Sequence, residues 1–414
     1  MANYHNVQSD PGFSIPSSRE LSWSQVSPQG SNFTNNITFK HSANDTRQLV
    51  MHQSYFVISL TMTSAAAGAF QKAPDASILN DYLANRLFSR VSVMCSGRRI
   101  SSSDSPGLLV PGWEEAYTRK SVNDTWGGAL SKDGAVATTG DGTARTIFQV
   151  IYQPHLSLFN DWEFAFPGGD WQFDFYPIAA TSMGTNAIFN RNDISANNAT
   201  GIHVAGATAA NVLISISDMQ MFVCSAVPQV PRALPSLMSH VLSEAQVQQS
   251  SAISTSHNES FQVPPGTYHI QLYFQTTTTA FTQAAGASLP DVTTFSLTIA
   301  GQTLPQSPYS DLSGPNGDLV KAYLDSVNAR SRMDYEHDTP KSLAEFTAKP
   351  VFQYTLLREA GAATDTALQL RVARSSAATA CKAIIICYSD SLAAFTFEKN
   401  EFILNKCDCR TTIK

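Results

Sequence analysis

Hydrophobic and polar positions alternate with a period of two along much of the chain, the spacing of strands with one buried face. In SYFVISLTMT from Ser54, Phe56, Ile58, Leu60 and Met62 share one face and are read as core, while Tyr55, Val57, Ser59 and Thr61 share the other. NFTNNITFK from Asn32 spaces Phe33, Ile37 and Phe39 among polar residues, with Asn35-Asn36 as a bulge. RVSVMC, residues 147–152, residues 171–176 and NVLISISDMQMFVC continue the series, and Pro228 and Pro231 end it. TYHIQLYFQT, FSLTIAG, VFQYTLL, ALQLRVA and KAIIICYS form a second series. Gly168-Gly169 and Pro264-Pro265-Gly266 supply turns between strands. Helical spacing predicts helices over residues 77–88, over 233–249 from Leu237, Val241 and Leu242, and over 317–330 from Leu319, Tyr323 and Val327. Residues 114–122 and 134–142 read as loop excursions.

The two series share a register. Setting Ile147, Phe148 and Gln149 on Val351, Phe352 and Gln353 gives an offset of 204, and the same shift carries Ser92 to Ser296 and Gly97 to Gly301. A shift of 213 sets SYFVISLTMT on TYHIQLYFQT, as a loop of changed length would. Self-similarity at this scale predicts two similar domains rather than a solenoid. Many short strands with helices confined to loops predict an all-β sandwich class, and each half holds enough strands for an eight-stranded jelly roll.

At 414 residues the chain is long enough for two cores of ordinary size. Charged residues make up only 14% of it and the net charge is −6, which excludes a large electrostatic footprint for nucleic acid. Residues 1–30 carry Arg19 as their sole Lys or Arg, so they form no basic arm, and they read as a polar extended segment. No run reaches the roughly 18 apolar residues of a membrane span, and no basic-then-apolar leader follows Met1, so a soluble, unsecreted chain with reduced thiols is expected.

Reactive motifs are sparse. There is no phosphate-cradling GxxxxGK[ST], no GxSxG elbow and no HExxH. Asp334, Glu336, His337 and Asp338 are read as a solvated loop, and Cys407 with Cys409 is too small a ligand set for a structural metal. Cys381 and Cys387 share a strand face and are read as core. The aromatic run Phe159, Trp162, Phe164, Phe166, Trp171, Phe173 and Phe175 lacks interleaved Arg or Lys and is read as packing rather than a base-stacking platform. No catalytic, cofactor-binding or metal residue is expected, and no cofactor.

YQPHLSLFNDWEFAFPGGDWQFDFYPI, FQVPPGTYHIQLYFQ and DYLANRLFSRVSV, together with the order of the strands, resemble the double jelly-roll major capsid proteins of the bacteriophage, adenovirus, virophage and large DNA virus lineage. The resemblance implies an N-terminal arm (1–30), a first jelly roll (31–227), a linker with a helix (228–260), a second jelly roll (261–400) and a polar tail (401–414). It also implies a structural, non-enzymatic coat subunit of the virion. Homotrimers would form pseudo-hexagonal capsomers, with neighbouring capsomers, penton proteins and minor capsid proteins as partners and no sequence-specific nucleic-acid binding. Contact with an internal membrane is left open. A receptor- or carbohydrate-binding β-sandwich such as a spike or fibre is the alternative, and a cupin-type enzyme is disfavoured by the spacing of the nine histidines.

Overall fold

A computed structural model of the chain describes residues 20–30, 32–44, 46–64, 83–116, 136–138, 144–160, 165–166, 168–178, 212–227, 237–264, 266–276, 287–299, 301–312, 317–330, 342–356, 366–398 and 401–408. The first ten strands are β1 (Glu20–Val26), β2 (Ile37–Ala43), β3 (Gln48–Ser64), β4 (Phe88–Cys95), β5 (Arg98–Asp104), β6 (Val136–Thr138), β7 (Ala144–Tyr152), β8 (Ala165–Phe166), β9 (Gly169–Pro177) and β10 (Val212–Val227). They form two antiparallel sheets, one in the order β1-β10-β3-β7-β6 with β8 beside β3, the other in the order β2-β9-β4-β5.

The remaining strands are β11 (Leu237–Gln249), β12 (Ser256–Val263), β13 (Thr267–Thr276), β14 (Val292–Ile299), β15 (Gln302–Leu304), β16 (Phe352–Thr355), β17 (Thr366–Arg374), β18 (Cys381–Glu398) and β19 (Glu401–Asp408). Their sheets run β11-β18-β13-β16, with β19 beside β18, and β12-β17-β14-β15. Apart from β6, β8 and β19, this is strand for strand the order of the first half, so the chain is a double jelly roll of two eight-stranded barrels. Helices are few: α1 (Pro106–Ala116), α2 (Ser157–Asn160), α3 (Leu319–Arg330) and α4 (Leu343–Ala348), with a 3₁₀ turn at Leu83–Leu87.

Each barrel closes over its own core, because alternate residues of both sheets point inward. The first core gathers Phe39, Phe56, Val91, Val93, Phe173, Phe175 and their neighbours, with the Phe56 and Phe175 ring centroids 4.6 Å apart edge to face. The second gathers Ile270, Leu272, Phe274, Phe295, Phe352 and Leu370, with Phe295 and Phe352 4.7 Å apart. Cys381 and Cys387 lie in this second core as free thiols, as the shared strand face requires. Of the aromatic run, Phe159, Phe166, Trp171, Phe173 and Phe175 pack in the first core, while Trp162 and Phe164 fall outside the described residues.

The offset of 204 holds in the hydrogen-bond ladders. Met94 pairs with Arg99 and Cys95 with Arg98 in the first barrel, and Thr298 pairs with Thr303 and Ile299 with Gln302 in the second. Gly97 and Gly301 close these two turns at φ 76° and 80°, a conformation that glycine adopts without the Cβ penalty. Phe148 pairs with Leu60, and Phe352 with Leu272.

That last pairing corrects the offset of 213. Leu60 corresponds to Leu272, a shift of 212, and the extra residue would have set inward Ile58 on Gln271, which faces outward. A slip of one residue exchanges the faces of a strand.

Other expectations change as well. The helix and linker expected between 228 and 260 are, where described, mostly strand: β11 pairs with β18 over its whole length, and β12 follows. Thirteen paired residues outweigh the local helical spacing of Leu237, Val241 and Leu242. The end of the arm, Glu20–Val26, is a barrel strand paired with β10, and the tail supplies β19. The strand expected from Asn32 starts at Ile37, because the Asn32 side chain accepts from the backbone N–H of Thr34 and holds a turn there. The excursions at 114–122 and 134–142 contain the end of α1 and the short β6. Of the helix expected at 77–88, the described part is the 3₁₀ turn and the first residue of β4.

Candidate assembly surfaces

Most of the chemistry-bearing groups singled out from the sequence lie outside the described residues. Residues 334–338 and Cys409 lie outside the described residues, and Cys407 sits on the edge strand β19 opposite Ala393. Among the described residues, no group of three or more His, Cys, Asp or Glu side chains could hold a metal, and no helix is long and apolar enough to cross a membrane. The features that can act are surfaces, and the chain contains one worked example of how they meet.

This is the seam between the barrels. Helix α1 begins with Pro106 in its first turn, where a missing N–H costs nothing, and it lies in the β5–β7 connection of the first barrel. It rests on the outer face of the second barrel's β11-β18-β13-β16 sheet. Leu108 and Leu109 of α1 pack with Tyr273, Val351, Ile384, Ile386 and Tyr388 in a third apolar cluster, separate from both barrel cores. Fully burying a leucine is worth about 1.5–3 kcal/mol, so this contact is a substantial part of what holds the barrels together.

Polar groups in the seam are paired with helix backbone. The Tyr273 hydroxyl donates to the Leu108 carbonyl at 2.7 Å, and the Gln271 amide donates to the Gly112 carbonyl at 3.1 Å. Tyr388 donates to Gln271 Oε1 at 2.8 Å, and His269 Nε2 donates to Gln353 Oε1 at 3.3 Å. Gly112 allows this close approach: a Cβ on it would press on the Gln271 side chain and lie 2.6 Å from Ile386 Cδ1, so both side chains would have to shift.

Burial also sets the proton chemistry of the seam. His269 is pushed down to about 3 by burial, against a smaller upward pull from its bond to Gln353. Glu244 on β11 is pushed up to about 7 by burial, opposed by Ser101 and by the charge of Arg99, both on β5 of the first barrel.

Two further apolar surfaces carry exposed side chains. On the first barrel's outer sheet face, Trp23 is 51% exposed and Leu21 38%, and Trp23, Tyr55 and Phe222 form a chain of rings with centroids 5.8 and 5.1 Å apart. On the second barrel, Val320 and Leu324 of α3 are 53% and 52% exposed, one helical turn apart, with Leu343 of neighbouring α4 at 38%. Neither the seam nor these surfaces was identified from the sequence. The uninterrupted run KAIIICYS was the available signal, since a strand apolar at successive positions is buried on both faces. The alternation of Leu21 and Trp23 in ELSWSQV was another.

No family model matches the chain, and no curated protein does. Solved structures do. A chain of the Sputnik virophage, determined by cryo-EM, matches with a TM-score of 0.64 at 11% identity, over 93% of this chain and 88% of that one. The mavirus major capsid protein matches at 0.56 and 9% identity, over 97% and 93%. The Faustovirus major capsid protein matches at 0.51 and 10% identity, over 95% and 92%. The likeness spans both barrels and fixes the fold as that of these proteins.

Proposed function

We propose that the chain is a viral coat subunit whose work is self-assembly. Three copies close into a ring of six barrels, and such pseudo-hexagonal capsomers tile an icosahedral shell around a genome. The observation that carries this reading is the repetition of the eight-strand order in two barrels that meet at the α1 seam, a shape that gives a threefold assembly a nearly sixfold outline. The fold shared with the mavirus and Faustovirus major capsid proteins over more than nine-tenths of the chain supports it. The work is structural rather than catalytic, the location is the virion, and the partners are other copies, neighbouring capsomers, and penton and minor capsid proteins.

Cyclic closure is the common route for soluble homo-oligomers, and an obligate contact of this kind buries on the order of 2,000 Å² or more. Light scattering on the purified protein should give about 134 kDa, three times the 44.8 kDa chain, over a wide range of dilution. A monodisperse single chain at every concentration overturns the proposal and favours a receptor- or glycan-binding role.

A further inference from the structure

We infer that the contact between β5 of the first barrel and β11 of the second is a proton-controlled latch, closed while the Glu244 carboxyl is protonated and loosened once it ionises, with the α1 contact staying shut. The inference concerns a single chain and stands apart from the coat-subunit reading.

The barrels touch in two places of different chemistry. One is the α1 contact, where apolar side chains are buried and polar groups are bonded to helix carbonyls. The other is where β5 meets β11. Each of these is an edge strand of its sheet, and among the described residues no hydrogen-bond ladder joins them, so side chains carry the contact. On β11, Ala245 and Val247 turn to the α1 cluster, and Glu244 lies between strand neighbours on the opposite face. The bonding at the second contact is incomplete. Glu244 Oε1, Ser101 Oγ and Ser103 Oγ are shut off from water and complete no hydrogen bond, and the two serines are only 2% and 3% exposed. A neutral carboxyl tolerates such a site, whereas a carboxylate there loses its hydration without gaining donors in exchange. Opening returns water to the carboxylate, so ionisation and opening favour each other.

The charges around the carboxyl do not cancel this effect. The ionisable residues on β5 are Arg98, Arg99 and Asp104, the last paired with Arg90 at 3.4 Å. On β18, Tyr388 and Asp390 flank Ser389, the residue paired with Glu244. Helix α1 holds Glu114 and Glu115, α2 holds none, and β11 itself has His240. Among these, Arg99 is the group whose charge acts on Glu244, and burial outweighs it and Ser101 together, raising the carboxyl from 4.5 to about 7. Arg99 is exposed, so solvent weakens its pull. The opened carboxyl returns to its ordinary value; the latch is therefore intact below 4.5 and is lost as pH rises through 7. The α1 contact does not follow, because His269 beneath it, pushed down to about 3 by burial, stays neutral throughout that range, and burial pushes the Tyr388 hydroxyl up.

The test is thiol labelling of the full chain carrying Ser103→Cys, with the rate at each pH divided by that of the unfolded chain at the same pH. Labelling should rise about tenfold between pH 6 and pH 8.5 and level off beyond. Ala245→Cys, which faces α1, and the buried Cys95 and Cys387 of the two cores should show no such rise. Adding Glu244→Gln, which cannot ionise, should flatten the profile. Adding Arg99→Gln at its exposed position removes an opposing charge and should move the levelling-off to higher pH. A profile unchanged by Glu244→Gln overturns the latch, and so does a rise shared by Ala245→Cys or by the core thiols, which means that the whole seam or the whole chain opens. Should Glu244→Gln fail to fold, Arg99→Gln decides alone, and a levelling-off that does not move overturns the proposal.

Discussion

His269 and Glu244 lie in the same seam and pull its stability in opposite directions with pH. The value of His269 is lowered from 6.5 to about 3, so its contribution is intact above about 6.5 and is lost as pH falls through the folded value. The value of Glu244 is raised from 4.5 to about 7, so its contribution is intact below 4.5 and is lost as pH rises through 7. Each accounts for on the order of 3–5 kcal/mol at the unfavourable extreme. His155, half-buried beside Asn85 in the first barrel and also pushed down to about 3 by burial, adds to the acid side. Denaturant midpoints measured from pH 4 to 8.5 should therefore show His269→Gln flattening only part of the acid limb, and Glu244→Gln raising stability at pH 8 while leaving pH 4 nearly unchanged. Equal shifts at all pH values would contradict both assignments. None of this was legible in the sequence, because the seam depends on contacts between residues about 160 positions apart in the chain, such as Gln271 and Gly112.

At the scale of elements, strands with one buried face were legible and those with unusual covers were not. β3, β4, β9 and β10 announce themselves by alternation, and even the bulge between Ile216 and Asp218 shows in the sequence as core residues three apart, Ile216 and Met219. β11 was concealed by helical spacing, and α1 by Pro111, Gly107 and Gly112, residues that normally argue against a helix. Gly112 is there for close approach to the neighbouring barrel rather than for helix stability. Gly112→Ala should accordingly destabilise the chain by about 1–3 kcal/mol despite the better intrinsic helix propensity of alanine. Urea unfolding reads this directly, and a stabilised variant would show that α1 does not press on Gln271 as described.

The whole molecule shows an asymmetry between otherwise matching barrels. The outer face of the second barrel carries Tyr273, Ile384, Ile386 and Tyr388, all buried under α1. The same region of the first barrel carries Ser59, Thr61, Gln149 and Ser215, none of them buried. The duplication was visible from the 204-residue offset; this difference of faces was not, because alternation reports that a face is polar or apolar and not what lies against it.

The polar outer face of the first barrel bears on synthesis as well as assembly. Domains fold as they leave the ribosome, N-terminal first. Every described strand of the first barrel lies between Glu20 and Val227, so that barrel is made, with α1, before the strands of the second. It must wait in water alone, and a Ser- and Gln-lined sheet lets it do so. The greasy strand β18 emerges near the end, when its cover already stands beside it. A fragment ending at residue 236 should thus be soluble and show a cooperative unfolding transition, whereas one beginning at residue 237 should aggregate. Sedimentation of the two fragments decides the matter, and the reverse result would mean that neither barrel shelters the other during its birth.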